Sequence, residues 1–294
     1  MKAVITGGTG LVGKKLINAL QKEGYAVTVF SRTARSVQGV TVLPWPLNSD
    51  GRKALAEASV VFNLAGAPVA QRWSEHAKRE ILESRTDTTD AVVNALSNRQ
   101  TVLVSASAIG LYGVGDQEMT EDAKPASGFL ADVVKAWEAA AMRATENGHR
   151  VVCLRIGLVL SPDGGALGKL LPLFKLGAGS AVGDGSHWQS WIHIDDVVAM
   201  MLFAAKNGTM NGAYNAVAPN PVSNKALSKA LAKALKKPFF LPPVPAFVLK
   251  MVFGRMSSIV LASQRVSSQR IRTAGFTFAH PTIDGAMNNL FKNV

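Results

Sequence analysis

Glycines at positions 7, 10 and 13 follow directly on the apolar run Ala3-Val-Ile-Thr6, and that pattern could seat a dinucleotide pyrophosphate. A glycine at 7 permits a tight turn, one at 10 lets backbone approach phosphate, and one at 13 lets a helix pack closely on the strand before it. The amides at the start of that helix would then face the anion. The spacing has one residue more between the first two glycines than the usual fingerprint, but the context is the required strand, turn and helix. The expected contacts run through Thr6, Gly7, Thr9, Gly10, Leu11, Val12 and Gly13.

A second apolar stretch, Ala26-Val-Thr-Val-Phe-Ser31, ends in Ser31, Arg32, Thr33 and Arg35 where the adenosine ribose would lie. An acid there binds the ribose hydroxyls of NAD, whereas arginine pairs with a 2′-phosphate. The pattern therefore points to NADP(H), with Ser31, Arg32 and Arg35 as contacts.

Other ionisable residues lie at suggestive spacings. Arg72, Trp73, Lys78 and Arg85 return in part to one face if their segment is helical, and an arginine beside a cleft can grip phosphate or carboxylate bidentately. Pairing with Glu75, Glu80 or Glu83 and packing of Trp73 explain the same residues structurally. Arg155, at the end of a strand, is a further anion contact and is expected to reach the cofactor. Asp132 and Lys135, three apart on a helix, can share a face either as catalytic groups or as a surface pair.

The elements that must carry these residues alternate regularly. Strands are expected near residues 2–6, 26–31, 40–43, 60–65, 101–105 and 150–158, separated by helices near 11–23, 52–58, 74–96 and 129–147. That alternation implies an α/β fold: a doubly wound parallel sheet of Rossmann type. Beyond Leu158 the pattern loosens into Gly- and Pro-containing loops. Ser223 can cap a helix that Pro238 stops, and Pro242, Pro243 and Pro245 precede a helical run from Ala246 to Phe253. The expected organisation is a nucleotide-binding domain over 1–165, with 189–216 returning to it, and a smaller C-terminal substrate lobe formed by 166–188 and 217–294.

The chain has 294 residues, 48% of them hydrophobic, enough for a large core. Its single cysteine, Cys153, lies in the apolar run Val151-Val-Cys-Leu154 and reads as inert core. No Cys/His spacing suggests a metal site. Neither a leader peptide nor a membrane-length apolar stretch is legible, so a cytoplasmic location is expected. Charge is unevenly placed: twelve Lys and Arg between 206 and 294 face one acid, Asp284, giving that third +11 of the chain's +12. Such a field suits an anionic substrate, an acidic partner or nonspecific nucleic acid, or is a solvated basic surface. Without a zinc finger, helix-turn-helix cue or aromatic-basic interleaving, specific nucleic-acid binding is not expected.

Taken together, the motifs resemble the extended short-chain dehydrogenase/reductase superfamily, in its YfcH-like bacterial epimerase branch. They are the opening Thr6-Gly-Gly-Thr-Gly-Leu-Val-Gly13, Asn63-Leu-Ala-Gly-Ala-Pro68, Arg72-Trp73, Ser84-Arg85, Ser105-Ala-Ser-Ala-Ile-Gly-Leu-Tyr-Gly113, Trp137-Glu138, Arg155-Ile-Gly157, Ser190-Trp-Ile-His-Ile-Asp-Asp196, Asn215 to Pro221, and the Pro238 to Phe247 tail. The resemblance implies that Asn63, Leu64, Ala65 and Gly66 run beside the cofactor. It implies that Ser107 hydrogen-bonds a substrate carbonyl or hydroxyl, while Ser105 is a cofactor contact or a strand-end hydroxyl. His187 and Trp188, after the glycine-rich stretch 177–185, fall where extended relatives reach the substrate; the glycines there mean either a lid or tight turns. Trp191 and His193 fall in a motif that joins the nucleotide and substrate parts, and both are expected among the substrate contacts. His193 could titrate near neutrality or be a hydrogen-bonded structural residue, and Asp195 is expected to cap the following helix. Arg255 stands where the branch is expected to favour an acid.

The superfamily also places a Tyr four residues before a Lys on the helix after the fifth strand. Here Lys135 would pair with Ala131, and an alignment fixed on Glu138 gives Leu130 and Val134; neither supplies both members. Ser107, Tyr112 and Lys135 are the candidate catalytic groups that remain. The functional expectation is an NADP-dependent oxidoreductase or epimerase acting on a small polar substrate, anionic if the basic field reflects it. The alternative is a non-catalytic NADP-binding or sensing protein. A homodimer is the oligomer considered.

Overall fold

In the first half of the chain β1 (Lys2–Thr6), α1 (Leu11–Lys22), β2 (Ala26–Ser31), β3 (Val40–Pro44), α2 (Ser49–Ala56), β4 (Val60–Asn63), α3 (Glu75–Ala95) and β5 (Val102–Ala108) follow one another with short connections. A 3₁₀ turn, Ile109–Tyr112, leads to β6 (Gly115–Met119) and α4 (Phe129–Met142), then β7 (Arg150–Ile156), β8 (Leu158–Leu160), α5 (Gly165–Lys175), β9 (Trp188–Gln189), β10 (Trp191–His193) and α6 (Ile194–Lys206). The remainder is β11 (Gly212–Ala216), β12 (Val222–Ser223), α7 (Asn224–Ala234), α8 (Ala246–Phe253), α9 (Ser257–Val260), β13 (Gln264–Val266), α10 (Gln269–Thr273) and α11 (Ile283–Leu290). The computed structural model describes residues 1–33, 36–97, 100–254 and 257–292.

Seven strands form one parallel sheet in the order β11-β7-β5-β4-β1-β2-β3. Helices cover both faces, which is why Ala3, Val4 and Ile5 of β1 and all of β4 are buried rather than alternating in and out. One face packs on α1 and α6 through Leu16, Leu20, Val197 and Met201. The other packs on α2, α3 and α4 through Leu55, Val92 and Ala141, with Cys153 inert among them; burial pushes its thiol up to about 12. The chain leaves β1 toward β2 and β3, then returns to build β4, β5, β7 and β11 on the opposite side. That reversal opens a crevice at the carboxyl ends of β1 and β4, where such folds bind ligands.

A second apolar cluster belongs to the C-terminal lobe: Leu167, Leu171, Phe174, Trp191, Leu227, Leu231, Met287 and Phe291. Ser223 caps α7 by accepting from the Ala226 amide. The helix α5 was not expected, because Gly168 and Pro172 within it read as loop signals; Leu167, Leu171 and Phe174 nonetheless recur at helical spacing and bury one face. The stretch 177–185 makes tight turns, with positive φ at Gly177, Gly183 and Gly185 and the Gly183 amide donating to the Val244 carbonyl.

Gly13 is where α1 crosses closest to the turn after β1. A Cβ there would lie 2.6 Å from the Gly7 carbonyl oxygen and 2.6 Å from Gly8 Cα, both backbone atoms. Gly13→Ala is therefore expected to destabilise the fold by about 1–3 kcal/mol, read from urea denaturation. An unchanged midpoint would remove the close-packing account.

Candidate active site and cofactor crevice

The turn between β1 and α1 is built to leave donors free. Gly7 has φ of 70°, and a Cβ on it would meet the Leu64 and Ala65 backbone at 2.7–2.8 Å, so only glycine fits. Gly10 is the N-cap of α1, no side chain caps the helix, and its first turn carries no acid. The orphan amides and positive end of the helix dipole therefore face a cavity of about 430 Å³ lined by Thr6, Gly7, Thr9, Gly10, Leu64, Ala65 and Gly66. Of the expected contacts, Leu11, Val12 and Gly13 lie outside that lining: Val12 packs on the core and Gly13 on the turn.

Beneath the floor runs a buried hydrogen-bond chain. Thr6 Oγ1 donates to Asn63 Oδ1 at 2.7 Å and accepts from the Leu64 and Ala65 amides. Asn63 Nδ2 donates to Thr89 Oγ1 at 2.8 Å and Ser105 Oγ at 3.3 Å. Asn63 and Ser105 are sealed below the cavity, so the structure gives them bracing rather than contact.

At the other end Ser31, Arg32 and Thr33 line both this cavity and a neighbouring one of about 500 Å³ reaching Val42 and Pro44. Arg32 is exposed. Arg35 lies outside the described residues. Phe30, Trp45, Ser84 and Thr88 also line the crevice. Sequence reasoning missed them, although an indole just after the third strand, beside the adenosine end, was a signal to notice.

Ser107, at the end of β5, donates to Glu138 Oε1 on α4 at 2.5 Å. Arg155, opposite Ser107 on β7, grips the same carboxylate with two bonds of 2.8 Å, from Nε to Oε1 and from Nη2 to Oε2. Its Nη1 donates to the Tyr112 hydroxyl at 2.8 Å and the Glu121 carbonyl at 2.9 Å. Burial alone would lower the Arg155 pKa, but the Glu138 and Tyr112 hydrogen bonds outweigh it and raise it. The expectation that Arg155 contacts the cofactor is thus corrected: all three of its nitrogens are engaged within the protein.

Tyr112 is buried, and its hydroxyl donates to Asn215 Oδ1 at 2.6 Å. Burial raises its pKa, only partly offset by Arg155. The phenol stays protonated and turned into the network. Asn215 in turn donates to the Ser267 carbonyl, and its amide reaches Glu121 Oε1. Lys135 is exposed and paired with Asp132 at 2.6 Å, the surface pair rather than a catalytic one. Glu138, Glu121 and Asn215 were not anticipated as site residues, because their partners lie on distant strands.

On the α3 side Arg85 lies against Gly66, which lines the crevice. Trp73 instead packs edge-on against Phe129, with its indole donating to the Val69 carbonyl. Lys78 pairs with Glu75 at 2.8 Å, and Arg72 is exposed.

A model of the NAD dependent epimerase/dehydratase family matches residues 3–216. The chain belongs to this family. A second model, a domain of unknown function (DUF1731), matches 244–290. The chloroplastic SDR39U1 homolog of Arabidopsis thaliana, an epimerase family protein, is 34% identical over 99% of this chain and 87% of its own. YfhF of Bacillus subtilis, another, is 33% identical over 99% and 98%. A crystal structure of the human epimerase family protein SDR39U1 with NADPH has a TM-score of 0.90 at 30% identity, covering 100% of both chains. The nucleoside-diphosphate sugar epimerase of Corynebacterium glutamicum has a TM-score of 0.77 at 32% identity over 99% of this chain and 58% of its own.

In this epimerase-family chain, several residues expected at the substrate are instead inside the joint between lobes. Trp191 is fully buried and donates to the Asn220 carbonyl. Trp188 pairs with Ser223 in the two-strand ladder of β9 and β12 and lies under the Arg265 guanidinium. His187 is buried, and burial lowers its pKa despite Asp184. His193 is also fully buried; its Nδ1 accepts from the Asp195 amide, so His193 rather than Asp195 caps α6, which begins two residues earlier than expected. Its ring stacks on His280 of the C-terminal module with centroids 3.9 Å apart and planes 35° apart. Beside it Asp196 accepts from the Ala279 and His280 amides. His193, Asp195 and His280 bring ligand atoms within 4.8 Å of one another, a grouping invisible in the sequence. His193 Nδ1 is already engaged by the Asp195 amide, and the ring contact clasps His193 to His280 of the C-terminal module.

Two outcomes follow. Arg155→Met would strand the largely buried Glu138 carboxylate, 15% exposed, and is expected to cost about 3 kcal/mol in urea denaturation. Burial, and then His280, push the His193 pKa from 6.5 down to about 4. The unfolded imidazole takes up a proton near 6.5 that the folded one refuses, so His193 favours the fold above that pH and loses this contribution as pH falls toward 4. His193→Asn keeps a capping side chain and should flatten the pH dependence of the denaturation midpoint across that window; an unaltered slope would count against the assignment.

Proposed function

We propose that this epimerase-family chain is an NADP(H)-dependent oxidoreductase or epimerase acting on a small, polar, anionic substrate. The observation that carries the reading is the uncapped N-terminus of α1 opening on the crevice, with exposed Arg32 at the far end where a 2′-phosphate would lie. NADPH in the human relative supports the same cofactor. The name of the Corynebacterium relative, a nucleoside-diphosphate sugar epimerase, supports a sugar bearing anionic groups. The residues fit a dinucleotide: the lining is backbone-rich, and a Cβ at Gly10 would be directed toward the space beside the Gly7 carbonyl, 3.2 Å away.

In this reading the Thr9 amide and the amides of the first turn of α1 would bind the pyrophosphate, the Gly10 amide being already given to the Gly7 carbonyl; Arg32 would pair with the 2′-phosphate, and Ser31 and Thr33 would flank it. Bound NADP(H) supplies a hydride acceptor or donor. Proton handling falls to this chain. Ser107 Oγ already donates to Glu138, so an oxygen lone pair remains to accept a hydrogen bond from a substrate hydroxyl. As that hydroxyl becomes a carbonyl, its proton passes to Ser107 Oγ while the Ser107 proton passes to Glu138; reduction runs the transfer backward. Arg155 holds the Glu138 carboxylate in place, and Tyr112 braces Arg155.

A second reading, NADP(H) binding or sensing without turnover, is favoured by one feature: the helix Phe129–Met142 contains no tyrosine. Calorimetric titration with NADPH and NADH should show a preference for NADPH that Arg32→Ala reduces by about tenfold or more with NADH binding unchanged. No binding of either dinucleotide would overturn both readings. On any carbonyl or nucleotide-sugar substrate turned over, Ser107→Ala should lower kcat by about 10²–10⁴ with NADPH affinity retained. NADPH binding without turnover across such a panel would favour the sensor.

A further inference from the structure

Among the described residues Arg85 is a guanidinium without a counter-charge. It projects from α3, and its Nη1 donates to the carbonyls of Ala67 at 3.1 Å and Ile81 at 2.9 Å. Among the described residues no carboxylate pairs with it, and Nε and Nη2 have no acceptor. Burial lowers its pKa to about 10, with no acid acting in the opposite direction. A cation so placed is normally matched by an anion.

Space for this cation is built into the chain. A Cβ on Gly66 would lie 2.8 Å from Arg85 Cζ, so the guanidinium occupies the room the glycine leaves. Gly66, Ala67 and Ser84 all line the crevice, and the cation packs against Gly66 directly behind that lining on the α3 side.

A second donor beside it is also unmatched. The Arg85 guanidinium lies over the Trp137 ring, 5.1 Å from its centre. The ring face attracts the cation but offers no acceptor. Trp137 itself is 6% exposed, and its Nε1 has no hydrogen-bond partner. Trp73 and Trp191, by contrast, each donate to a backbone carbonyl. Arg85 on α3 thus keeps Nε and Nη2 without an acceptor, and Trp137 on α4 keeps Nε1; the residue after Trp137 is Glu138, the partner of Ser107.

We propose that Arg85, with Trp137 Nε1 beside it, forms an oxyanion subsite that holds a carboxylate or phosphoryl group of the substrate. The proposal rests on reading the crevice as a cofactor and substrate site. It supplies the anchor that places the reacting hydroxyl at Ser107, a bidentate grip that Arg provides and Lys does not.

The test is calorimetry on the full chain saturated with NADPH, titrated with glucuronate, glucose 1-phosphate and neutral glucose. At least one of the two anions should bind and glucose should not; which anion binds identifies the group as carboxylate or phosphoryl. Arg85→Gln should weaken that binding by about tenfold or more. Trp137→Phe keeps the ring, removes the N–H and should weaken it by about threefold or more. Equal anion affinity in wild type and both variants overturns the subsite, as does failure of both anions to bind wild type, or glucose binding as tightly as they do. Should Arg85→Gln fail to fold, Trp137→Phe decides. NADPH is titrated separately: if it does not bind, the cofactor reading falls, and the anion titrations on the protein alone still decide the subsite.

Discussion

Arg155 brings a full positive charge into the interior at the carboxyl end of β7, and a charge placed there is tolerated only when its donors are met. Each partner comes from a different part of the chain. Glu138 belongs to α4, Tyr112 to the turn after β5, and the Glu121 carbonyl to the loop before α4. Through Tyr112 the network reaches Asn215 on β11, and through Asn215 the Ser267 carbonyl of the C-terminal lobe. One guanidinium thus fixes the relative positions of three strand ends and ties the lobe to the sheet. The same constraint orients Ser107, since the carboxylate that accepts its proton is held in place by Arg155.

Three physically distinct features of the crevice region attract negative charge. At α1 the attraction comes from partial charges on backbone amides, which require glycine and the absence of a capping side chain. At Arg32 it is an exposed, screened point charge at the rim. At Arg85 it is a desolvated cation whose partners are carbonyls and an indole face. The basic field of the last third adds long-range attraction, but the close contacts lie elsewhere: Lys206 pairs with Glu23, Arg270 with Asp122, and Lys233 with Asp284.

Parts of this organisation could be read before any coordinates. The glycine turn, the serine cap of α7 and the parallel alternation depend on residues within a few positions of one another, and local sterics suffice to read them. Failures came where local signals conflict with tertiary packing. Gly168 and Pro172 disguised α5, whose apolar face is held by the C-terminal cluster. Asp195 looked like the better cap, but the backbone turns so that His193 Nδ1 reaches the amide first. Trp191 and His193 looked like substrate groups because aromatic and titratable residues often are; burial between the lobes gives them other work.

By itself, the sequence determined that a strand would run into a close-packed helix, that the first amides of that helix would be left without a side-chain cap, and that basic residues would stand at the end of the second strand. These follow from backbone geometry and short-range periodicity. Only the tertiary structure decided which charges would be matched. Arg155 and Glu138 are seventeen residues apart, and His193 meets His280 across the lobes. Among the described residues Arg85 meets no acid, although Glu80 and Glu83 are close to it in sequence. The physical reason is that desolvation and pairing depend on which distant segments share a volume, and that volume is defined only once the sheet has closed against its helices.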